Sequence, residues 1–215
     1  SLPDVTSLRE ASLETPMRIY SADDALIAEY GEMRRIPLKI ADIPQPMLDA
    51  FLAIEDSRFY EHPGIDPIGI LRAGVVWLTT GQMRQGASTI TQQVARNFFL
   101  SREKTLMRKV KEVFLAWHIE KELSKDEILE LYLNKIPLGY RAFGVGAAAQ
   151  VYYGKRVDQL TLGEMAVIAG LPKAPSAFNP VVNPKRAALR QQYVLRRMEE
   201  LGFITEKQHD EALKQ

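Results

Sequence analysis

Three short stretches, Ser124/Glu127, Thr161/Glu164 and Thr205/Gln208, each place a Ser or Thr three residues ahead of a Glu or Gln, just before apolar residues at helical spacing. In such a pair the hydroxyl accepts from an orphan N–H of the first helical turn. The Glu or Gln reaches back to the cap residue, so the helix start is stabilised locally. Thr89/Gln92 repeats the pattern. The body of the chain is therefore expected to be helical. Extended structure is expected only near the N-terminus, where MRIYS (17–21) and ALIAEY (25–30), separated by Ala-Asp-Asp, read as a short hairpin. Pro37, Pro44 and Pro46 punctuate the approach to the first strong helix. Between Leu171 and Arg186 four prolines (172, 175, 180, 184) force an extended loop, and 185–201 is helical again. The expected organisation is a strand-bearing segment 1–44 ahead of a domain 45–215, mainly α (α+β).

At 215 residues and 46% hydrophobic, the chain has enough apolar matter for one sizeable core. There is no Cys, which excludes disulfides, thiolate nucleophiles and Cys-based metal sites. Its three His, at 62, 118 and 209, are too scattered for a His-rich metal centre, so no protein-held metal is expected. The net charge is +1, so any attraction for an anion must be local. No apolar run approaches the roughly 18 residues of a membrane span. The chain opens at Ser1 rather than Met, and is expected to be a piece of a longer protein that follows a membrane anchor.

The stretch AIEDSRFYEHPG (53–64) puts acids where an apolar stripe asks for Leu or Ile. One i, i+4 row runs Met47, Phe51, Glu55, Phe59, and its neighbour runs Leu48, Leu52, Asp56, Tyr60. A carboxylate between phenyl rings loses hydration, which raises its pKa and suits it to exchange protons near neutral pH. The competing reading ends the helix near Ile54 and leaves Glu55 and Asp56 at a solvated turn, paired with Arg58. His62, followed by Pro63 and Gly64, reads as a turn residue bonded to backbone rather than as a base. GILRAGVVWLTTGQ (69–82) reads as a core helix; exposed, it would instead suit a bilayer interface.

In QGASTITQQVARN (85–97) a loop leads into a helix whose free amides favour an anion, with Gln92, Gln93 and Arg96 a turn further on. No Gly-x4-Gly-Lys phosphate loop is present. Residues 84–111 hold seven Lys or Arg (84, 96, 102, 104, 108, 109, 111) against Glu103 alone, an excess that invites an anionic partner. Stacking aromatics are not interleaved with these charges, so nucleic acid is not expected. On the helix holding RKVKE (108–112), Leu106, Val110, Val113/Phe114 and Trp117 read as the core stripe. Arg108 and Glu112 lie on the opposite row, which continues into Leu115, Ala116 and Ile119. Glu112 is the second candidate carboxylate, and its plainer reading is a surface pair with Arg108. KDEILELYLNKIPLGY (125–140) and RQQYVLRRM (190–198) read as scaffold.

Taken in order, EDSRFYEHPG (55–64), GASTITQQ (86–93), RKVKE (108–112), KDEILELYLN (125–134) and RQQYVL (190–195) resemble the five motifs of the peptidoglycan glycosyltransferases, glycosyltransferase family 51. TPMRIYSADDALIAEYGEMRRIPL is similar to the class A bifunctional penicillin-binding proteins, although no Ser-x-x-Lys transpeptidase signature follows. The resemblance implies a two-lobed, lysozyme-like fold whose smaller lobe touches the membrane, with segment 69–82 as the contact. It implies that Glu55 is the general base in polymerising lipid II onto a growing glycan strand. Arg108, Lys109 and Lys111 would lie near the donor pyrophosphate, with Arg96 and Lys104 facing phosphates. Glu112 would position the donor or a divalent cation, Mg or Mn, and no organic cofactor is implied. Asp56, Ser88, Thr89, Gln92 and Gln93 would bind the sugars. The implied location is the periplasmic face of the inner membrane. Two other readings are a lytic, glycan-cleaving enzyme, which would gain nothing from the clustered cations, and a non-catalytic glycan-binding module, which would lack the base.

Overall fold

The computed structural model describes residues 34–82, 88–100 and 105–215; the expected hairpin at 17–30 lies outside them. In chain order these residues form β1 (Arg34–Arg35), α1 (Gln45–Glu55), α2 (Pro67–Thr80), α3 (Ile90–Phe99), α4 (Leu106–Glu122) and α5 (Lys125–Lys135). β2 (Ala142–Phe143), α6 (Val145–Tyr153), α7 (Leu162–Ala169), α8 (Pro184–Glu200) and α9 (Glu206–Ala212) follow. The chain divides into two compact units. One is Glu55–Leu129; the other joins the described residues up to Ile54 to Glu130–Gln215. Of the expected N-terminal segment, the described part, 34–44, belongs to the second of these.

The Glu55–Leu129 unit is built on α3 against α4. Ile90, Val94 and Ala95 of α3 and Leu115, Ala116 and Ile119 of α4 are buried. Two expectations are overturned here. The segment read as a core helix forms α2, none of whose residues is buried. Ile68, Ile70, Leu71, Val75, Trp77 and Leu78 are 47–77% exposed. On α4 the assigned stripe is inverted. Leu106, Val110, Phe114 and Trp117 are exposed, and the row of Glu112, Leu115, Ala116 and Ile119 is the buried one. Periodicity records which faces of a helix are apolar, not what covers them. With two apolar faces, α4 offered two answers.

In the other unit, α1 buries Met47, Leu48, Ala50, Phe51, Leu52 and Ala53, and Phe51 meets Tyr132 edge to face at 6.0 Å. The polar members of the 125–134 stretch anchor backbone. Asn134 accepts the Leu38 N–H and donates to the Leu38 carbonyl, both at 2.7 Å, while Glu130 accepts the Ile40 N–H at 2.7 Å. These bonds tie the chain ahead of α1, with its 3-10 turn at Ile40–Asp42, to α5, and β1 pairs in parallel with β2, Arg34 with Ala142 and Arg35 with Phe143. Gly144 has φ 85, and a Cβ there would run into the Asn134 carbonyl, so only glycine fits. From α8 the Arg190 guanidinium lies 5.1 Å from the ring of Phe178 in the proline-rich loop and 5.5 Å from that of Tyr193, and donates to the Gly170 carbonyl at 3.2 Å. All four expected helix caps form with both hydrogen bonds in place.

Candidate active site

Glu55 is the last residue of α1, and the chain turns immediately after it. Its Oε2 accepts a 3.1 Å hydrogen bond from Gln93 Nε2 of α3. Phe59 therefore reaches the core through the turn, not through the helical row suggested by its spacing. It is fully buried and packs edge-on against His62 at 6.0 Å.

The helix ends almost where the plainer reading put it, but the surroundings differ from that reading. Arg58 pairs with Glu61 at 3.3 Å and with Asp66 at 3.2 Å. The side chain of Asp56 is only 3% exposed. Its Oδ2 lies 2.6 Å from His62 Nε2 and accepts the Ile90 N–H at 3.1 Å, at the N-terminus of α3 where amides and dipole favour an anion. The Gly64 N–H points at His62 Nδ1 from 3.0 Å. Nδ1 therefore presents a lone pair, and Nε2 carries the proton donated to Asp56. His62 is the backbone-bonded turn residue expected of it.

Thr89 caps α3 and ties it to the turn. Its hydroxyl accepts the Gln92 N–H at 3.1 Å and donates to the Gly64 carbonyl at 2.6 Å, while Gln92 Oε1 accepts the Thr89 N–H at 2.9 Å. Thr89, Gln92 and Asp56 are thus buried and engaged in framework bonds. The cap formed by Thr89 and Gln92 was expected from their spacing; the burial of Asp56 and its bond to the Ile90 amide were not, because a solvated acid and a buried one read alike.

Gln93 and Arg96, three residues apart on α3, share a face. Arg96 approaches Glu112 at 3.4 Å through both Nε and Nη2. Lys109 Nζ donates at 3.0 Å to Glu112 Oε1 and at 3.0 Å to Ser88 Oγ. Glu112 is completely buried, whereas the Arg96 and Lys109 side chains are 34% and 49% exposed. Two cations against one carboxylate, +2 and −1, leave +1 at this locus, on groups an incoming anion can reach. The expected surface pair of Glu112 is therefore replaced by a buried one. Lys111 is exposed, Arg108 is half-buried, and Lys104 lies outside the described residues.

The recorded contacts run from Glu55 through Gln93 and along α3 to Arg96, Glu112, Lys109 and Ser88. The arrangement joins a half-buried carboxylate, able to take a proton, to a net-positive site for an anion. Glu112, the residue expected to position the donor or a divalent cation, accepts from Arg96 and Lys109 through Oε1, and among the described residues no three His, Asp or Glu side chains gather into a cage.

A transglycosylase family profile matches residues 23–199. The chain is 67% identical over 211 residues to Penicillin-binding protein 1A of Escherichia coli (strain K12), covering 98% of this chain and 25% of that protein. It is 61% identical to Penicillin-binding protein 1A of Vibrio cholerae, covering 98% and 26% respectively. The crystal structure of Penicillin-Binding Protein 1A from Haemophilus influenzae superimposes with a TM-score of 0.52 at 39% identity, over 94% of this chain and 21% of that one. The chain thus spans about a quarter of the length of the curated relatives it matches.

Proposed function

This chain belongs to the transglycosylase family, and on that premise we propose that it is an inverting peptidoglycan glycosyltransferase that polymerises lipid II into β-1,4-linked glycan. Glu55 takes the proton from the GlcNAc 4-hydroxyl of the acceptor. That oxygen attacks C1 of the MurNAc at the reducing end of the growing strand. The bond from C1 to the phosphate oxygen breaks, and its electron pair leaves with undecaprenyl pyrophosphate. An alcohol is a poor nucleophile at neutral pH, so a positioned base contributes roughly 10²–10⁴ in rate.

Gln93 orients the Glu55 carboxylate through the 3.1 Å bond to Oε2. Arg96 and Lys109 stabilise the charge that develops on the pyrophosphate, and Glu112 holds both cations in place. Ser88 fixes the Lys109 ammonium from the other side. Arg108, Lys111 and Lys104 extend the positive surface. Asp56, Thr89 and Gln92 serve the sugars indirectly, by setting α3 against the turn. No step is routed through a divalent ion.

The observation that carries this reading is the half-buried Glu55, bonded to Gln93 on the same face of α3 as Arg96, which with Lys109 and Glu112 carries a net positive charge. A lytic enzyme has no use for that charge, because its leaving group is a sugar hydroxyl rather than a diphosphate. Among the described residues no helix is long and apolar enough to cross a membrane. The exposed apolar side chains of α2 suit the surface of a bilayer holding the lipid-linked substrate, and the proposed location is the periplasmic face of the inner membrane.

Incubation of the chain with labelled lipid II tests the proposal. Glycan polymer with released undecaprenyl pyrophosphate is expected. Fragmentation of preformed glycan would replace the reading with the lytic one, and binding without turnover would reduce the chain to a glycan-binding module.

A further inference from the structure

Lys125 opens α5, where helix electrostatics disfavour it, because a cation in a first turn faces the positive end of the macrodipole. That turn is already capped. Ser124 Oγ accepts the Glu127 N–H at 3.2 Å, and Glu127 Oε1 accepts the Ser124 N–H at 3.1 Å. The position of the ammonium therefore needs another reason.

The Lys125 Nζ donates at 2.7 Å to the carbonyl of His62 and at 2.7 Å to Glu120 Oε1, and lies 4.5 Å from the centroid of the Phe59 ring. The same Glu120 oxygen accepts the Thr91 hydroxyl at 2.7 Å. Lys125 and Glu120 are 20% and 13% exposed, so these charge-assisted bonds are weakly screened. Packing behind them is tight: a Cβ on Gly64 would come within 3.0 Å of Glu120 Cγ and 3.1 Å of the Ala116 carbonyl. One ion pair thus grips the turn that follows Glu55, at Phe59 and His62, and the start of the helix that supplies Gln93, at Thr91.

We infer that the Glu120–Lys125 pair is a positioning device for Glu55, fixing the separation of turn and α3 across which Gln93 Nε2 holds Glu55 Oε2. It touches no substrate and acts through His62, Phe59 and Thr91. The inference rests on the reading of Glu55 as the base.

The test compares Lys125→Met, Lys125→Arg and Thr91→Val with wild type. It uses steady-state polymerisation of lipid II together with amide hydrogen exchange over 56–64. In Lys125→Met, kcat falls about tenfold while KM for lipid II moves less than about twofold, and exchange over 56–64 speeds up about tenfold. Lys125→Arg, which still donates twice, recovers kcat to within about threefold of wild type. If Lys125→Met does not fold, Thr91→Val carries the same expectation, with kcat about threefold down and KM unmoved. Unchanged kcat, a KM rise as steep as the kcat loss, or unaltered exchange over 56–64 overturns the inference. An inactive wild type would sink the functional reading instead, while the exchange measurement would still decide whether the pair holds the turn.

Discussion

A carboxylate at the end of a helix is ordinarily washed by water. Glu55 instead meets Gln93, and its neighbour Asp56 is drawn into the protein by His62 and the Ile90 amide. On the proposed reading adjacent acids divide the work, Glu55 taking the proton and Asp56 holding α3. Sequence spacing showed that acids interrupt an apolar row, but not this division, because a buried acid and a reactive acid look the same until their partners are known. The same holds for Glu112. Its neighbour at i−4, Arg108, suggested a surface pair, whereas its recorded partners include Arg96, which comes from a different helix. Lys109 is the most testable of the cations, because its ammonium donates to Glu112 and Ser88 and is half exposed. Lys109→Ala should lower kcat/KM for lipid II by about tenfold, the worth of one charge-assisted bond to the donor phosphate. Steady-state kinetics check this, and unchanged values would remove Lys109 from the pyrophosphate site.

Among the elements, the helix starts were the most legible part, because a capping box is closed within four residues and needs no knowledge of the rest of the chain. The boxes are not equal in weight. Thr205 caps α9, whereas Thr89 caps α3 and also donates to the Gly64 carbonyl, 25 residues away in the chain. Thr205→Ala should cost about 1 kcal/mol, and Thr89→Ala clearly more, since a buried carbonyl loses its donor as well. Urea unfolding of both variants measures the difference; equal midpoints would contradict it. The two-residue β2 was not legible, since so short a strand has no alternation to detect. Nor was the exposure of α2, whose composition suits a protein core and a lipid surface equally. If that helix meets a bilayer, Trp77→Ser combined with Val76→Ser should reduce flotation of the chain with liposomes. Undiminished flotation would leave the exposed apolar face without that role.

For the whole molecule, the order of five motifs carried the family, and the transglycosylase profile over 23–199 bears it out. Local motifs say less about what holds the chain folded as conditions change. Burial raises the pKa of Glu164, but the Lys155 ammonium and the Thr161 amide and hydroxyl outweigh it and hold the carboxyl below its ordinary 4.5. A lowered folded value contributes stability that is present above the unfolded value and lost as pH falls through the folded one. Replacing Lys155 by Met should therefore lower the melting temperature near neutral pH, with the difference shrinking as pH drops below the ordinary carboxylate range. A constant difference across pH would show that the pair does not set acid stability. The central claim concerns turnover by the entire chain, and one comparison decides it most directly. Wild type and Glu55→Gln are given labelled lipid II, with polymer and bound substrate measured in the same samples. The account predicts that the variant binds lipid II and forms no glycan; polymerisation at close to the wild-type rate would contradict it.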